Sequence, residues 1–132
     1  MASLHHEIDV AVEPAEAWSA ISDIEATDRL FPGVLTACRV EDGARVVTFA
    51  NSLVVRELIV DIDPRRRRLA YASVGGSLTH HHATLQVFEA GTGGSRIVWS
   101  ADFLPQSMAG LVDGLMVQGS RALRQALLDR FR

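Results

Sequence analysis

The sequence predicts an α+β fold in which a curved, seven-stranded antiparallel sheet surrounds one long C-terminal helix, with two short helices after the first strand. Residues 107–131 form the only segment with a long helical periodicity. Seven strand-like segments precede it, and the short turns between most of them require antiparallel pairing. A single long helix cannot bury its apolar face alone, so we expect it to lie on the sheet.

The first strand and the two short helices are marked by clear start and stop signals. Apolar and polar side chains alternate along residues 4–12, which is typical of a half-buried strand. Pro14 ends this strand and suits the first turn of a helix over 15–22, where its missing N–H is tolerated. A second short helix over 24–30 ends at the Phe-Pro-Gly sequence that follows it.

The remaining six strands are separated by turns rich in Gly, Asp, Asn and Pro. They are expected at residues 34–41, 45–51, 53–61, 68–74, 79–89 and 95–103. After the last strand, Ser107 is a suitable N-cap for the long helix.

The long helix carries an apolar stripe that contains unusually small side chains. The residues that recur at steps of three and four are Met108, Leu111, Leu115, Gly119, Ala122 and Ala126, and Leu123 and Leu127 widen that face. Gly110, Gly114 and Gly119 are spaced along the same helix, and each glycine costs about 1 kcal/mol relative to alanine. Two interpretations remain open: close packing of the helix on the sheet, or space for a ligand.

Composition narrows the classes of function. A chain of 132 residues with 48% hydrophobic residues predicts one globular domain. The net charge of −3 argues against nucleic acid as the main partner. No apolar stretch approaches the ~18 residues of a membrane span, and no signal peptide is recognisable. The single cysteine, Cys38, excludes an internal disulfide and fits a cytoplasmic location.

Several short motifs carry a resemblance to a known superfamily. They are PAEAWSAISD at 14–23, FPGV at 31–34, VRE at 55–57, RLAY at 68–71 and SRIVW at 95–99. The first is similar to a P-x-x-V-W-x-x-I-S-D signature. On these motifs the chain resembles the START-like superfamily (SRPBCC, the helix-grip fold), within its polyketide cyclase/dehydratase-like branch.

The resemblance implies a deep, mostly apolar cavity between the sheet and the C-terminal helix. Members of the superfamily bind lipids, polyketides, hormones or aromatic compounds. Some are cyclases, aromatases or dehydratases, and others only carry a ligand. The partner expected for this chain is therefore a small hydrophobic or aromatic molecule, and no cofactor is expected.

The inward faces of the last two strands should form one wall of this cavity. If the last hairpin closes on its glycine-rich turn, Leu85 lies opposite Trp99. Trp99 and Phe103 share the core face of their strand because they are four residues apart. We expect these side chains, with Leu111 and Leu115 of the helix, to contact the ligand.

A run of three histidines lies on the same hairpin. His81 faces inward in the predicted register and could act there as an acid, a base or a hydrogen-bond donor. A histidine satisfied within the core is the alternative. His80 and His82 face outward, and no third ligand beyond Asp102 is evident, so no metal site is predicted.

Other polar candidates come from three strands. Glu57, which shares a face with Asp61 in an unbroken strand, could be a base or a ligand anchor. If Arg56 points inward instead, it could anchor a carboxylate or phenolate, and an outward ion pair of the two is the third alternative. Tyr71 could add a phenolic hydroxyl to the cavity, and Asn51 an amide.

Three hypotheses about function follow. The first is a cofactor-free polyketide-type cyclase or dehydratase, in which His81 is the acid or base and Glu57 or Tyr71 polarises a carbonyl. The second is a ligand carrier in which these side chains only orient the ligand. The third is an interaction protein that forms a homodimer through the long helix or through an outer face formed by His80, His82 and Arg96.

Overall fold

The computed structural model describes residues 1–131 and contains one sheet with helices on its inner side. Within these residues the strands are β1 (Ala2–Val10), β2 (Leu35–Glu41), β3 (Ala44–Phe49), β4 (Val54–Asp63), β5 (Arg68–Val74), β6 (His80–Ala90) and β7 (Gly94–Leu104). The α-helices are α1 (Pro14–Ser22), α2 (Thr27–Leu30) and α3 (Ala109–Arg130). Single 3₁₀ turns, Ile24–Ala26 and Gln106–Met108, precede α2 and α3.

The sheet confirms the predicted fold class. Its strand order is β1-β7-β6-β5-β4-β3-β2, and every neighbouring pair is antiparallel. Each strand from β2 to β7 pairs with its successor in sequence, whereas β1 closes the far edge by pairing with β7. The two short helices cross between the two edge strands, β1 and β2. The predicted register of the last hairpin is also confirmed, with Leu85 opposite Trp99 and His82 opposite Asp102.

A β-bulge in β4 changes the face of one predicted residue. The register with β5 shifts between Ile59 and Asp61, so Asp61 lies opposite Ala70 rather than continuing the face of Glu57. The extra residue at the bulge, Val60, reverses the alternation beyond it. Glu57 and Asp61 therefore do not share a face, contrary to the expectation from an unbroken strand.

The long helix begins later than predicted, and Ser107 does not cap it. The N–H of Met108 donates to the carbonyl of Pro105 at 3.1 Å, which closes a 3₁₀ turn that includes Ser107. Met108 is the N-cap residue, and no side chain bonds to the helix start. The Pro105 carbonyl performs the role that was expected of the Ser107 hydroxyl.

The buried stripe of α3 agrees with the predicted one at Gly119, Leu123 and Leu127 and differs from it in the N-terminal half of the helix. Its buried residues are Met116, Gly119, Leu123 and Leu127. Leu111 and Leu115 are 60% and 37% exposed. A Cβ added at Gly110 or Gly114 would meet open space, whereas one at Gly119 would lie 2.9 Å from the Trp99 ring. Close packing therefore accounts for one of the three glycines.

The core is filled at one end of α3 only. Leu123 and Leu127 pack with Trp18, Ile21 and other apolar side chains of the short helices and of β5, β6 and β7. The N-terminal half of α3 contributes only Met116 to the buried residues of a second, smaller cluster. None of the helices in residues 1–131 is long and apolar enough to cross a membrane.

Candidate functional site

A cavity of about 280 Å³ lies between the N-terminal half of α3 and the inner face of the sheet. Most of its wall is apolar. Side chains from β3, β6, β7 and α3 that form this wall include Val47, Phe49, Leu85, Ala101, Val112 and Met116. Trp99 closes the inner end, where its ring lies against Gly119 and 5.8 Å from the ring centroid of Phe31.

The mouth of the cavity is lined by exposed apolar residues. Leu53 and Val54, at the β3–β4 turn, are 54% and 59% exposed. Leu111 and Leu115 of α3 and the β5–β6 connection at 75–78 complete the lining there.

A buried ion pair stands in the polar part of the wall. Arg45 Nε donates to Glu57 Oε1 at 2.7 Å, and the two side chains are only 4% and 12% exposed. Arg45 also donates through Nη1 to Thr27 Oγ1 at 3.1 Å. Because Arg45 and Glu57 are directly opposite in the β3–β4 register, the sheet itself sets this pairing.

Tyr71 lies beside this ion pair and contacts Trp99. Its hydroxyl oxygen accepts a hydrogen bond from Trp99 Nε1 at 3.0 Å, and the Arg45 guanidinium lies 4.7 Å from its ring centroid. Burial, and next the Glu57 carboxylate, raise the pKa of Tyr71, while Arg45 and Trp99 act in the opposite direction. Tyr71 is therefore a neutral phenol at physiological pH.

His81 reaches the cavity where the β5–β6 ladder stops. The backbone pairing ends at Tyr71 opposite Ala83, and beyond it the N–H of Ser73 donates to His81 Nδ1 at 3.0 Å. Nδ1 must be an acceptor, so the hydrogen of the neutral ring is on Nε2. Burial, followed by the neighbouring His82 and His80, lowers the pKa of His81 to about 4. At neutral pH this ring is an uncharged hydrogen-bond donor.

Seven of the ten residues expected at the site line the cavity. They are Glu57, Tyr71, Leu85, His81, Trp99, Leu111 and Leu115. The direction of β4 is settled by the ion pair with Arg45, which requires Glu57 to face inward.

Three expected residues lie outside the cavity wall. Asn51 is in the exposed β3–β4 turn, where its Oδ1 accepts a bond from the Leu53 N–H at 3.0 Å. Arg56 is on the opposite face of β4 from Glu57 and pairs with Glu41 at 2.9 Å. Phe103 faces inward but is fully buried in the core beyond the cavity.

Arg45 is the polar wall residue that the sequence reasoning missed. The signal was present, because Arg45 is in phase with the apolar Val47 and Phe49 along the same strand. An arginine at the start of a strand is usually solvated, so its place in the alternation did not by itself indicate a buried side chain. Thr27, which accepts the second Arg45 bond, is in α2 and could not be related to β3 from sequence.

Side chains outside the cavity show fewer features of a reactive or metal-binding site. No cluster of three or more His, Cys, Asp or Glu side chains in residues 1–131 is arranged to hold a metal ion. Burial raises the pKa of the Cys38 thiol, which is 3.4 Å from the Ile24 carbonyl oxygen. On the outer face, Arg96 pairs with Asp9 of β1 at 2.9 Å.

The sequence matches the family described as "Polyketide cyclase / dehydrase and lipid transport" over residues 1–132. None of the curated proteins matches the chain. Solved structures extend the comparison of the fold. XoxI from Bacillus cereus is similar over 98% of this chain and 97% of its own, with 21% identity and a TM-score of 0.88.

Two further structures share the fold at lower identity. Norcoclaurine synthase from Thalictrum flavum, in complex with dopamine and hydroxybenzaldehyde, has 18% identity and a TM-score of 0.76, and the match covers 99% of this chain and 88% of that one. The di-domain ARO/CYC protein BexL has 15% identity and a TM-score of 0.84, and the match covers 96% of this chain and 46% of that one.

Proposed function

Because the chain belongs to the polyketide cyclase/dehydrase and lipid transport family, we propose that it binds a small hydrophobic or aromatic molecule in the cavity between α3 and the sheet. The observation that carries this proposal is a hollow of about 280 Å³ whose wall is mainly apolar but holds several polar groups. Such a combination is typical of small-molecule sites, in which apolar area supplies affinity and a few polar groups orient the ligand.

An aromatic ligand is supported by two observations. The aromatic rings of Phe49, Tyr71 and Trp99 contribute to the wall, and aromatic pairs contribute beyond their buried area. In the structure of norcoclaurine synthase with dopamine and hydroxybenzaldehyde, a protein of this fold holds aromatic molecules. The similarity between that protein and this chain concerns the fold, so the ligand proposed here is an aromatic class rather than either compound.

A catalytic version of this function rests on the polar groups in the wall. Glu57 Oε1 is held by Arg45, and Oε2 has no hydrogen-bond partner among residues 1–131. Glu57 could therefore take a proton from carbon, while the Tyr71 hydroxyl or His81 Nε2–H polarises a carbonyl. These are the components of a cofactor-free aldol cyclisation or dehydration. In the carrier version the same side chains only orient the ligand.

The first experiment is native mass spectrometry of freshly purified protein, followed by denaturation and identification of any released molecule. We expect a hydrophobic or aromatic compound, or, for protein purified empty, micromolar binding of 2-acetylnaphthalene detected by quenching of tryptophan fluorescence. Wild type is compared with Ala101→Leu, whose larger side chain should fill part of the cavity from β7 and weaken binding at least tenfold. Binding that is equal in the two proteins would overturn the assignment of the cavity as the site.

A second experiment separates the enzyme from the carrier. The molecule released from the protein, or a synthetic diketone precursor of it, is incubated with wild type and with Glu57→Gln, and cyclisation or loss of water is followed by mass spectrometry. Turnover that disappears in Glu57→Gln while ligand remains bound would support the enzyme. Ligand that returns unchanged from the wild type would support the carrier.

A further inference from the structure

Two hydrogen-bond donors in the cavity wall have no acceptor within the described part of the chain. The Tyr71 oxygen accepts from Trp99 Nε1, which leaves the phenolic hydrogen free to donate. Ser73 occupies His81 Nδ1, which leaves the hydrogen on Nε2 without a partner. The two rings are neighbours, with centroids 5.8 Å apart and planes tilted by 41°. Both residues line the cavity.

The charge in this part of the wall is already neutralised. Arg45 and Glu57 are the ionised side chains that line the cavity, and they bond to each other at 2.7 Å. Arg45 also bonds to Thr27 and lies over the Tyr71 ring. The charge of the guanidinium is thus balanced by Glu57, and its Nε and Nη1 already donate within the protein, so the pair offers no net positive charge to an anionic ligand.

We propose that the Tyr71 hydroxyl and His81 Nε2–H form a two-donor subsite for the uncharged carbonyl oxygen of an aromatic ketone, and that the Arg45–Glu57 ion pair makes this subsite select against carboxylates. The inference rests on the proposed function, because the subsite is part of the same cavity. It assigns a specific ligand group and two specificity-determining residues to it.

The chemistry of the oxygen explains the preference. A carbonyl oxygen has two lone pairs and no hydrogen, so it can accept from both donors and leaves nothing unpaired. An alcohol oxygen carries a hydrogen of its own, and neither the Tyr71 hydroxyl nor His81 Nε2–H offers it an acceptor. A carboxylate brings a charge that loses its hydration in the cavity and gains no free cation in return. An uncharged ketone fits both the donors and the charge balance.

The binding test uses three probes of similar shape: 2-acetylnaphthalene, 2-ethylnaphthalene and 2-naphthoate. Dissociation constants are measured by calorimetry for wild type, Tyr71→Phe and His81→Asn. Asparagine keeps an acceptor near the Ser73 N–H but not the Nε2 donor. In the wild type the ketone should bind tightest, and each substitution should weaken ketone binding by about 3- to 10-fold relative to 2-ethylnaphthalene in the same variant.

Both probes are measured in the same variant. A structural change caused by the substitution therefore affects both and cancels in the ratio of their dissociation constants. If Tyr71→Phe disturbs Trp99, which loses its acceptor, binding of both probes falls and their ratio is unchanged. An infrared readout adds a measurement at the oxygen itself. The carbonyl stretch of bound 2-acetylnaphthalene should lie at lower frequency than in hexane and move back in each variant, because hydrogen bonding weakens the C=O bond. A hexane-like frequency in the wild type would overturn the proposal.

The charge balance of the Arg45–Glu57 pair predicts that removing the carboxylate increases the affinity for an anionic ligand. Glu57→Gln removes the negative partner and leaves Arg45 charged, so 2-naphthoate should bind at least about 10-fold tighter than it binds to wild type. The matched control is Glu41→Gln, which removes the same charge from the exposed pair with Arg56. That variant should leave naphthoate binding as in wild type.

The outcomes also separate this subsite from the function on which it rests. If 2-acetylnaphthalene and 2-ethylnaphthalene bind equally to wild type and both are weakened by Ala101→Leu, the cavity binds ligands but the two-donor subsite is wrong. If wild type binds neither, both proposals are wrong. If wild type prefers 2-naphthoate, the Arg45–Glu57 pair does not select against anions.

Discussion

Burial decides what the polar residues of the cavity can do chemically. His81 was expected to be an acid, a base or a hydrogen-bond donor. Its Nδ1 is occupied by Ser73, and burial lowers its pKa to about 4. Near neutral pH the ring is therefore a donor through Nε2–H. Tyr71 is held as a neutral phenol for a similar reason. Of the three candidates for acid–base chemistry, Glu57 is the one that offers a carboxyl oxygen, Oε2, with no hydrogen-bond partner among residues 1–131.

The lowered pKa of His81 predicts a pH dependence of stability. Between pH 6.5 and about 4 the unfolded chain binds a proton at His81 that the folded chain does not, so the free energy of unfolding falls as pH falls through this window. The contribution should reach about 1–2 kcal/mol, after an allowance for partial exposure to solvent. Urea unfolding at pH 5 and pH 7.5 measures it.

His81→Asn is the comparison for this measurement. The variant should lose less stability than wild type between pH 7.5 and pH 5, because asparagine does not titrate. His5 and the other histidines are present in both proteins, and their effects cancel in the difference. Parallel pH curves for the two proteins would contradict the neutral, buried state of His81.

The Arg45–Glu57 pair predicts strong coupling between two residues. Glu57→Leu leaves a buried guanidinium without its carboxylate and should destabilise the protein by about 3 kcal/mol. The double variant Arg45→Met with Glu57→Leu removes both charges and should cost less than Glu57→Leu alone. Chemical denaturation of wild type, both single variants and the double variant closes the cycle. Additive losses would show that the pair is not coupled in the folded state.

At the level of elements, α3 has a different environment in each half. Its C-terminal half packs on a filled core through Leu123 and Leu127, so its stability comes mainly from tertiary burial. Its N-terminal half begins without a side-chain cap, contains Gly110 and Gly114, and lies over the cavity mouth. This half has fewer stabilising contacts and is the part of the helix that a ligand would approach.

The helix glycines give a matched pair of substitutions. Gly114→Ala should stabilise the protein by about 0.5–1 kcal/mol, because the added methyl meets open space and alanine favours the helix. Gly119→Ala should destabilise it by about 1–3 kcal/mol, because the methyl would lie 2.9 Å from a Trp99 ring that its bond to Tyr71 holds in place. Urea unfolding measures both, and equal effects of the two changes would refute the packing described for Trp99.

At the level of the whole molecule, the space between sheet and helix is filled at one end and hollow at the other. Large side chains of α1, α2 and the C-terminal half of α3 fill the first end. At the other end small residues such as Ala101 face the N-terminal half of α3, and the cavity occupies the remaining space. The division follows from where the short helices cross the sheet, since they cover only one end of it.

The cavity predicts that two neighbouring alanines differ in how well they tolerate a larger side chain. Ala83 and Ala101 are opposite each other in the β6–β7 register and both are buried, but only Ala101 lines the cavity. Ala101→Leu should be accommodated with a change below about 1 kcal/mol, whereas Ala83→Leu should cost about 1–3 kcal/mol through overpacking. Thermal and urea unfolding of the two variants measures the difference, and a larger loss for Ala101→Leu would mean that the cavity is not open in solution.

Much of the fold could be predicted from local chemistry. Alternation, turn residues and one long helical period predicted the seven antiparallel strands and the three helices, because these signals act over a few residues. The glycine-rich turn of the last hairpin was enough to place Leu85 opposite Trp99. The resemblance read from motifs at 14–23 and 95–99 is confirmed by the family match over the whole chain.

The sequence by itself therefore determined the fold class, the family and seven residues of the cavity wall. Only the tertiary structure decided which polar groups meet there, because the bond between Arg45 and Thr27 joins β3 to α2, and the Tyr71–Trp99 bond joins β5 to β7. It also decided the β4 bulge, which moved Asp61 away from its predicted face, and the exposure of Leu111 and Leu115 in the N-terminal half of α3. Contacts between distant segments depend on how the sheet curves and where helices cross it, and periodicity within one segment carries no information about either.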